Sequence, residues 1–434
     1  MKLSRYNNYI KHEEKFIIYN ALSKGTMLIE PLLYDLIKTA NENNNIEHLL
    51  KIHPTFYKAL VSDCFIIEDK KNELEEVKRI REEVDLENTR SFRLTINPTM
   101  NCNFKCWYCY ESHVKDSKME SNNLLKVKQF IQTKISQSKT LEEFHISWFG
   151  GEPFLYYDQV IQPIIEHTDQ ICREHNVKLI MDFTTNGFLL NEKRASFLQQ
   201  FPSSNYQITL DGGKEEHNTV RYVSENRGSY DDIVKNIKLL CAHQLNVILR
   251  INYTKKNLGS VANIVDDFEN MSPEDKKFLS VTFHKVWQEQ DNTLGNTVNS
   301  LIAYFRSKGL NAMVGGLPDN LKNPCYADKN NHAVINYNGE LFKCTARDFS
   351  KENSEGFIDE QGQLIWNEKY HKRLDSKFKN KPCLNCSILP ICNGGCSQVA
   401  LENEGKDYCV YNFDENLKKS IILDKLLRAS APIT

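Results

Sequence analysis

The sequence has no apolar run approaching the eighteen or so residues that a membrane span needs, and its opening, MKLSRYNNYIKHEEKF, lacks an apolar segment of signal-peptide type. These absences predict a cytoplasmic chain with no membrane partner. An excess of one charge is missing as well: Lys plus Arg is 55 against Asp plus Glu 57, a formal net charge of -2. That balance leaves no electrostatic footprint for nucleic acid or an anionic lipid surface, so no nucleic-acid partner is expected. Internal repeats and low-complexity tracts are absent too. Cysteine is abundant. Thirteen in 434 residues is an odd number, and in a reducing compartment it is poor disulfide material, which points to metal binding or catalysis.

At this length, with 40% hydrophobic residues, two or three domains with a real core are expected. Residues 1–69 carry short strand-like runs at Tyr9-Ile10 and Phe16 to Tyr19, a helix near Pro31 to Ala40 and an apolar run at Cys64 to Ile67, a small α+β module. In 70–90, Leu74, Val77, Ile80 and Val84 recur at helical spacing among charges and predict a linker helix. From 91 to 310, strands at 92–96, 144–149, 178–183, 206–210, 247–252 and 279–286 alternate with helical segments, the pattern of parallel βαβ units. Six units are too few for an eight-stranded barrel. The fold class is therefore α/β, a partial (β/α)6 barrel or an open doubly wound sheet, with function at the carboxyl ends of the strands. Residues 311–415 hold most of the remaining cysteines, and 416–434 form a C-terminal helix.

Ten cysteines are clustered. Cys102-x3-Cys106-x2-Cys109 follows the first strand in NPTMNCNFKCWYCY, while Cys64, Cys172 and Cys241 stand alone as ordinary structural thiols. Three thiolates on one loop satisfy three irons of a four-iron cluster and leave the fourth open to a ligand. A zinc site is the competing reading, but zinc prefers four closed ligands and C-x2-C pairs. The triad resembles the signature of the radical S-adenosylmethionine (SAM) superfamily, C-x3-C-x-aromatic-C, with Tyr108 in the aromatic place. Gly150-Gly151-Glu152-Pro153 follows the second strand, where glycines let backbone approach a ligand and a carboxylate accepts from an ammonium group. The resemblance implies that this motif binds the SAM amine, that Thr185 and Asn186 at the end of the third strand line the SAM site, and that Arg221 pairs with the SAM carboxylate. Arg250 and Asn252 on the fifth strand, and His284, Lys285 and Trp287 at the sixth, face the substrate or satisfy and pack the barrel interior. No catalytic acid or base is named by the sequence.

The other cysteines read Cys325-x13-Gly339-x4-Cys344, then Cys383-x2-Cys386-x5-Cys392-x3-Cys396, and Cys409. This pattern resembles the SPASM domain of radical SAM enzymes that modify peptides. The resemblance implies two auxiliary clusters, making three 4Fe-4S clusters with the SAM-binding one. Cys325, Cys344 and Cys396 would hold the first, and Cys383, Cys386, Cys392 and Cys409 the second. The first set is one ligand short, leaving its iron open to a substrate thiolate or closed by His332, water or another thiol.

Residues 1–69 resemble the winged-helix leader-recognition element of maturases for ribosomally made peptides, which can add a leader peptide to a sheet edge. The implied activity is hydrogen abstraction from a precursor peptide by a 5'-deoxyadenosyl radical, with a side-chain cross-link as product and flavodoxin or ferredoxin as electron donor. Two other readings stand beside it. One is an anaerobic sulfatase maturase, whose catalytic Asp follows the Gly-x4-Cys unit where this chain has Thr345. The other is a non-catalytic iron-sulfur or zinc scaffold that binds a peptide.

Overall fold

The alternation of apolar and polar residues becomes strand pairing in a computed structural model, which describes residues 1–291, 293–314 and 321–429. Two compact units form. The first is Met1–Asn88 with Leu317–Asn330 and His371–Thr434, and the second is Thr89–Gly316 with Asn331–Tyr370.

In the first unit, β1 (Asn7–His12), β2 (Lys15–Asn20) and β3 (Thr26–Ile29) form an antiparallel meander. β2 reads KFIIYN, apolar on both parities, and a strand of that kind needs cover on both faces. One face receives it from the helices Pro31–Glu42 and Pro54–Ser62, where Ile18 packs with Ile37, Phe56 and Leu60. On the other, Tyr19 and Ile10 join Val77, Ile388, Leu389, Ile391 and Ile422 in a second core. Val77 comes from the expected linker helix, found as Glu73–Arg81 and continuing to Leu86. Asn8 and Ser387 reinforce the second core reciprocally: Asn8 Nδ2 donates to the Ser387 carbonyl at 3.3 Å, and Ser387 Oγ to Asn8 Oδ1 at 2.6 Å. The opening strands and the C-terminal cysteine-rich segment thus share one core. Packing divides the chain differently from its sequence texture.

The second unit holds an eleven-stranded sheet. Its strands are β4 (Ser91–Ile96), β5 (Glu143–Trp148), β6 (Lys178–Thr185), β7 (Ser204–Leu210), β8 (Asn246–Tyr253), β9 (Leu279–Lys285), β10 (Asn311–Val314), β11 (His332–Ile335), β12 (Glu340–Phe342), β13 (Gly356–Ile358) and β14 (Leu364–Trp366). Their order is β10-β9-β8-β7-β6-β5-β4-β11-β12-β13-β14. From β10 through β11 every pair is parallel, and β12 to β14 add antiparallel hairpins at the edge. The α/β partial barrel expected from the six-unit pattern is present, extended by β10 beyond its last strand and by β11 to β14 beyond its first. Phe92, Leu94, Phe144, Ile146 and Trp148 bury one face in the main core. The other face is polar: Arg93 Nη1 donates to Ser147 Oγ at 2.9 Å and to Asp182 Oδ2 at 2.8 Å, and Asn205 Nδ2 to Asp182 Oδ1 at 2.9 Å. Because these strands are parallel, the loops after β4 to β9 emerge from one end. Among the described residues no helix is long and apolar enough to cross a membrane.

Candidate active site

The cysteine loop after β4 is fixed before any ligand is considered. Asn97 and Thr99 are fully buried. Thr99 Oγ1 donates to the Ser117 carbonyl at 2.5 Å, and Ser117 Oγ accepts from the Met100 N–H at 3.0 Å. Cys102 and Cys106 lie half-buried against the main core, and Cys109 is exposed. The Phe104 N–H donates to Cys102 Sγ at 3.4 Å, and the Cys109 N–H to the Cys106 carbonyl at 3.0 Å. Burial pushes the Cys102 thiol up to about 12 and Cys109 to about 11. Burial thus favours the neutral thiols, and a nearby positive charge would favour the thiolates. Among the described residues no group of three or more Cys, His, Asp or Glu side chains is arranged to hold a single metal ion. Three soft thiols on one pinned loop fit a polynuclear iron-sulfur cluster.

The glycines after β5 serve this loop. Gly150 and Gly151 sit at φ 78 and 43. A Cβ on Gly150 would lie 2.7 Å from Asn97 Cγ, and one on Gly151 would lie 2.1 Å from the Asn101 carbonyl oxygen. The close approach made possible by missing side chains is to the cysteine loop itself. The Gly151 N–H also donates to Glu111 Oε2 at 2.8 Å, and burial raises that carboxyl to about 7. Gly151→Ala should cost on the order of 2–3 kcal/mol through overlap and left-handed strain. Denaturant titration checks this, and stability equal to that of the unchanged protein would contradict the packing described.

Glu152 is 1% exposed and carries three hydrogen bonds. Its Oε1 accepts from Thr185 Oγ1 at 2.7 Å and the Phe154 N–H at 3.0 Å, and its Oε2 accepts from the Asn186 N–H at 2.7 Å. An ionised carboxylate offers about four acceptor positions, so one remains. Burial raises the Glu152 pKa and these donors oppose the rise. Thr185 and Asn186 orient this carboxylate, and Asn186 Nδ2 also reaches Asn103 Oδ1 at 2.8 Å, tying β6 to the cysteine loop.

The loops after β7 and β8 close the other side. Tyr108 Oη donates to Asp211 Oδ1 at 2.6 Å and accepts from Arg221 Nη2 at 2.8 Å and Asn252 Nδ2 at 3.1 Å. Arg221 Nε donates to Asp211 Oδ2 at 2.6 Å, both residues being buried. Two of Arg221's five donors are thus engaged, and the rest of its fork is available to an anion. His217, fully buried and held neutral by burial, accepts from the Asp211 N–H at 3.3 Å through Nδ1 and faces Ser229 Oγ through Nε2 at 3.0 Å, bracing the turn that carries Asp211. Arg250 Nε donates to Asn252 Oδ1 at 2.8 Å, and burial pushes the nearby His284 down to about 4. Trp287 stacks on Tyr110 with centroids 5.0 Å apart. Beside this network lies a cavity of about 420 Å³, lined by Trp107, Tyr108, Asp211, Asn252, Thr254 and Gln288 among others, a size suited to a small-molecule cofactor.

The family resemblance singles out Tyr108, Glu152 and Arg221, and the sequence marks Asn252 as a group that could satisfy the barrel interior; it gives no part to Asp211 and Glu111. Only the adjacency of Glu111 to the triad hinted at its role. Asp348, three residues beyond Thr345, accepts from the Ser112 N–H at 3.1 Å through Oδ1 and from Ser112 Oγ at 3.0 Å through Oδ2, so it anchors the cysteine loop. In the first unit, Cys383, Cys386, Cys392 and Cys409 line one cavity. Cys325 and Cys396 belong to that unit and Cys344 to the other. His332 lies on β11, its Nε2 3.2 Å from Thr95 Oγ1.

Residues 96–268 match the model of the Radical SAM superfamily. The chain is similar to a cysteine-type anaerobic sulfatase-maturating enzyme of Clostridium novyi, 25% identical over 71% of this chain and 88% of that one. It is similar as well to the radical SAM cyclopropyl synthase TigE of Paramaledivibacter caminithermalis, 21% identical over 91% and 89%. Among solved structures, Streptococcus suis SuiB bound to precursor peptide SuiA shares the fold with a TM-score of 0.53 and 17% identity, covering 94% of this chain and 98% of SuiB. The family match falls on the loops that carry Cys102, Cys106, Cys109, Glu152 and Arg221, so residues 96–268 form a domain of the Radical SAM superfamily.

Proposed function

We propose that this chain is a radical SAM peptide maturase that abstracts hydrogen from a ribosomally synthesised precursor peptide and forms a side-chain cross-link. The observation that carries the reading is the reach of the similarity. TigE and the peptide-bound SuiB are matched over 91% and 94% of the chain, the sulfatase-maturating enzyme over 71%. The engagement of both Asp348 oxygens by Ser112 also weighs against the sulfatase-maturase reading, since it leaves that carboxylate committed to the loop.

A reduced 4Fe-4S cluster with SAM supplies a 5'-deoxyadenosyl radical that removes hydrogen from an unactivated carbon. Cys102, Cys106 and Cys109 would hold the cluster. The remaining acceptor position of Glu152 takes the SAM ammonium, and the free edge of Arg221 takes its carboxylate. Tyr108, locked by Asp211, Arg221 and Asn252, keeps the cavity wall rigid beside them. Cys383, Cys386, Cys392 and Cys409 would hold an auxiliary 4Fe-4S cluster. Flavodoxin or ferredoxin is the electron donor, and residues 1–69 bind the leader.

Because Ile10 and Tyr19 share a core with Ile388 to Ile391, deletion of residues 1–69 should remove more than leader binding. The truncated chain is expected to lose the iron of the Cys383 to Cys409 cage, measured as iron per chain after anaerobic reconstitution. Full iron with peptide binding alone abolished would contradict this. The function itself is tested by anaerobic reconstitution with SAM and a reductant: absence of 5'-deoxyadenosine would leave only the binding-scaffold reading.

A further inference from the structure

Two polar side chains reach the four-thiol site of the first unit, one by a hydrogen bond to a thiol and one from the cavity lining. Asn380, 8% exposed, directs Nδ2 at Cys383 Sγ at 3.0 Å. It is aimed by the backbone of Tyr408, whose carbonyl accepts from the same Nδ2 at 2.6 Å and whose N–H donates to Asn380 Oδ1 at 3.4 Å. Lys418, also 8% exposed, lines the cavity from the first turn of the helix Glu415–Ala429. Its ammonium pairs with Glu415 at 2.6 Å. The Glu415 carboxylate is 66% exposed against 11% for the lysine side chain. Water therefore screens the anion far more than the cation, and a net positive field falls on the thiol cage.

One-electron reduction adds one negative charge to an iron-sulfur cluster, so nearby positive charge and N–H···S bonds favour the reduced form. We infer that Asn380 and Lys418 raise the reduction potential of the cluster assigned above to Cys383, Cys386, Cys392 and Cys409, setting it to accept one electron. This rests on that assignment. The acceptance involves no proton and no bond change in the protein; the substrate-derived carbon radical gives up the electron as its cross-link bond forms and the bonding side chain releases its proton to solvent, and the electron passes on to an external one-electron carrier.

The test is a redox titration of the full-length, anaerobically reconstituted chain followed by electron paramagnetic resonance, with iron counted in every variant. The relevant signal is the one that disappears in Cys409→Ala. Lys418→Met should lower its midpoint potential, Lys418→Arg should hold it near that of the unchanged protein, and Asn380→Leu should lower it independently. Unshifted midpoints in both Lys418→Met and Asn380→Leu, with iron retained, would overturn the inference. If Cys409→Ala removes neither iron nor signal, the cluster assignment itself fails, and the tuning role falls with it. Should one variant lose its iron, the other decides.

Discussion

Replacing Cys106 by alanine should abolish 5'-deoxyadenosine formation, down to the background of the reductant without enzyme. Cys106 is the middle member of the triad and lies half-buried against the core. With it gone, two thiols remain on the loop, and a cluster needing three thiolates with one iron open to SAM is not held. The expected companion result is loss of a four-iron complement. Cys172→Ala and Cys241→Ala serve as controls. Both thiols are buried in the hydrophobic core and behave as small apolar groups, so their loss costs about 1 kcal/mol of stability and leaves cleavage intact. Activity in Cys106→Ala equal to that in the controls would remove the triad from the mechanism.

The second large effect is expected at Asp211. This carboxylate is 1% exposed and pairs with Arg221 at 2.6 Å while accepting from Tyr108. Asp211→Ala leaves a guanidinium buried without its counter-charge, a change that costs about 3–5 kcal/mol where buried pairs are broken from one side. It also frees Tyr108, whose hydroxyl links the cysteine loop to β8 through Asn252. Asp211→Asn retains the shape and one acceptor but not the charge, and should fall between Ala and the unchanged protein. Denaturant unfolding gives the stability loss, and SAM affinity should weaken in parallel because Arg221 is no longer positioned. A loss below about 1 kcal/mol, typical of an exposed pair, would contradict the description of a buried network.

The six parallel strands were legible because each is five or more residues long, alternates in burial and is separated from the next by helical segments. β11 to β14 were not. They are three or four residues long, and β11 pairs in parallel with β4, whose register partners lie about 240 residues earlier, Arg93 opposite His332. No local pattern announces such a pairing. The shared core of the first unit escaped for a related reason: KFIIYN shows that both faces need cover, but not that Ile388 and Ile422 provide it.

Within the site, the triad and Gly150-Gly151-Glu152-Pro153 are short motifs and could be read directly from spacing. The Tyr108, Asp211, Arg221 and Asn252 network is assembled from the cysteine loop and from the ends of β7 and β8. Its members are ordinary polar residues until folding brings them together. The glycines read as a place where backbone approaches a ligand; at Gly151 the close approach is instead to the Asn101 carbonyl of the cysteine loop, a partner no local pattern names.

The central claim is that the radical made at Cys102, Cys106 and Cys109 is spent on a peptide. The most direct measurement is co-expression of the chain with the short precursor peptide encoded beside its gene, followed by mass spectrometry of that peptide. The account predicts loss of two hydrogens per modification, present with the unchanged chain and absent with Cys106→Ala. A peptide of unchanged mass and stereochemistry from cells whose enzyme makes 5'-deoxyadenosine, or a modification that persists in Cys106→Ala, would contradict it.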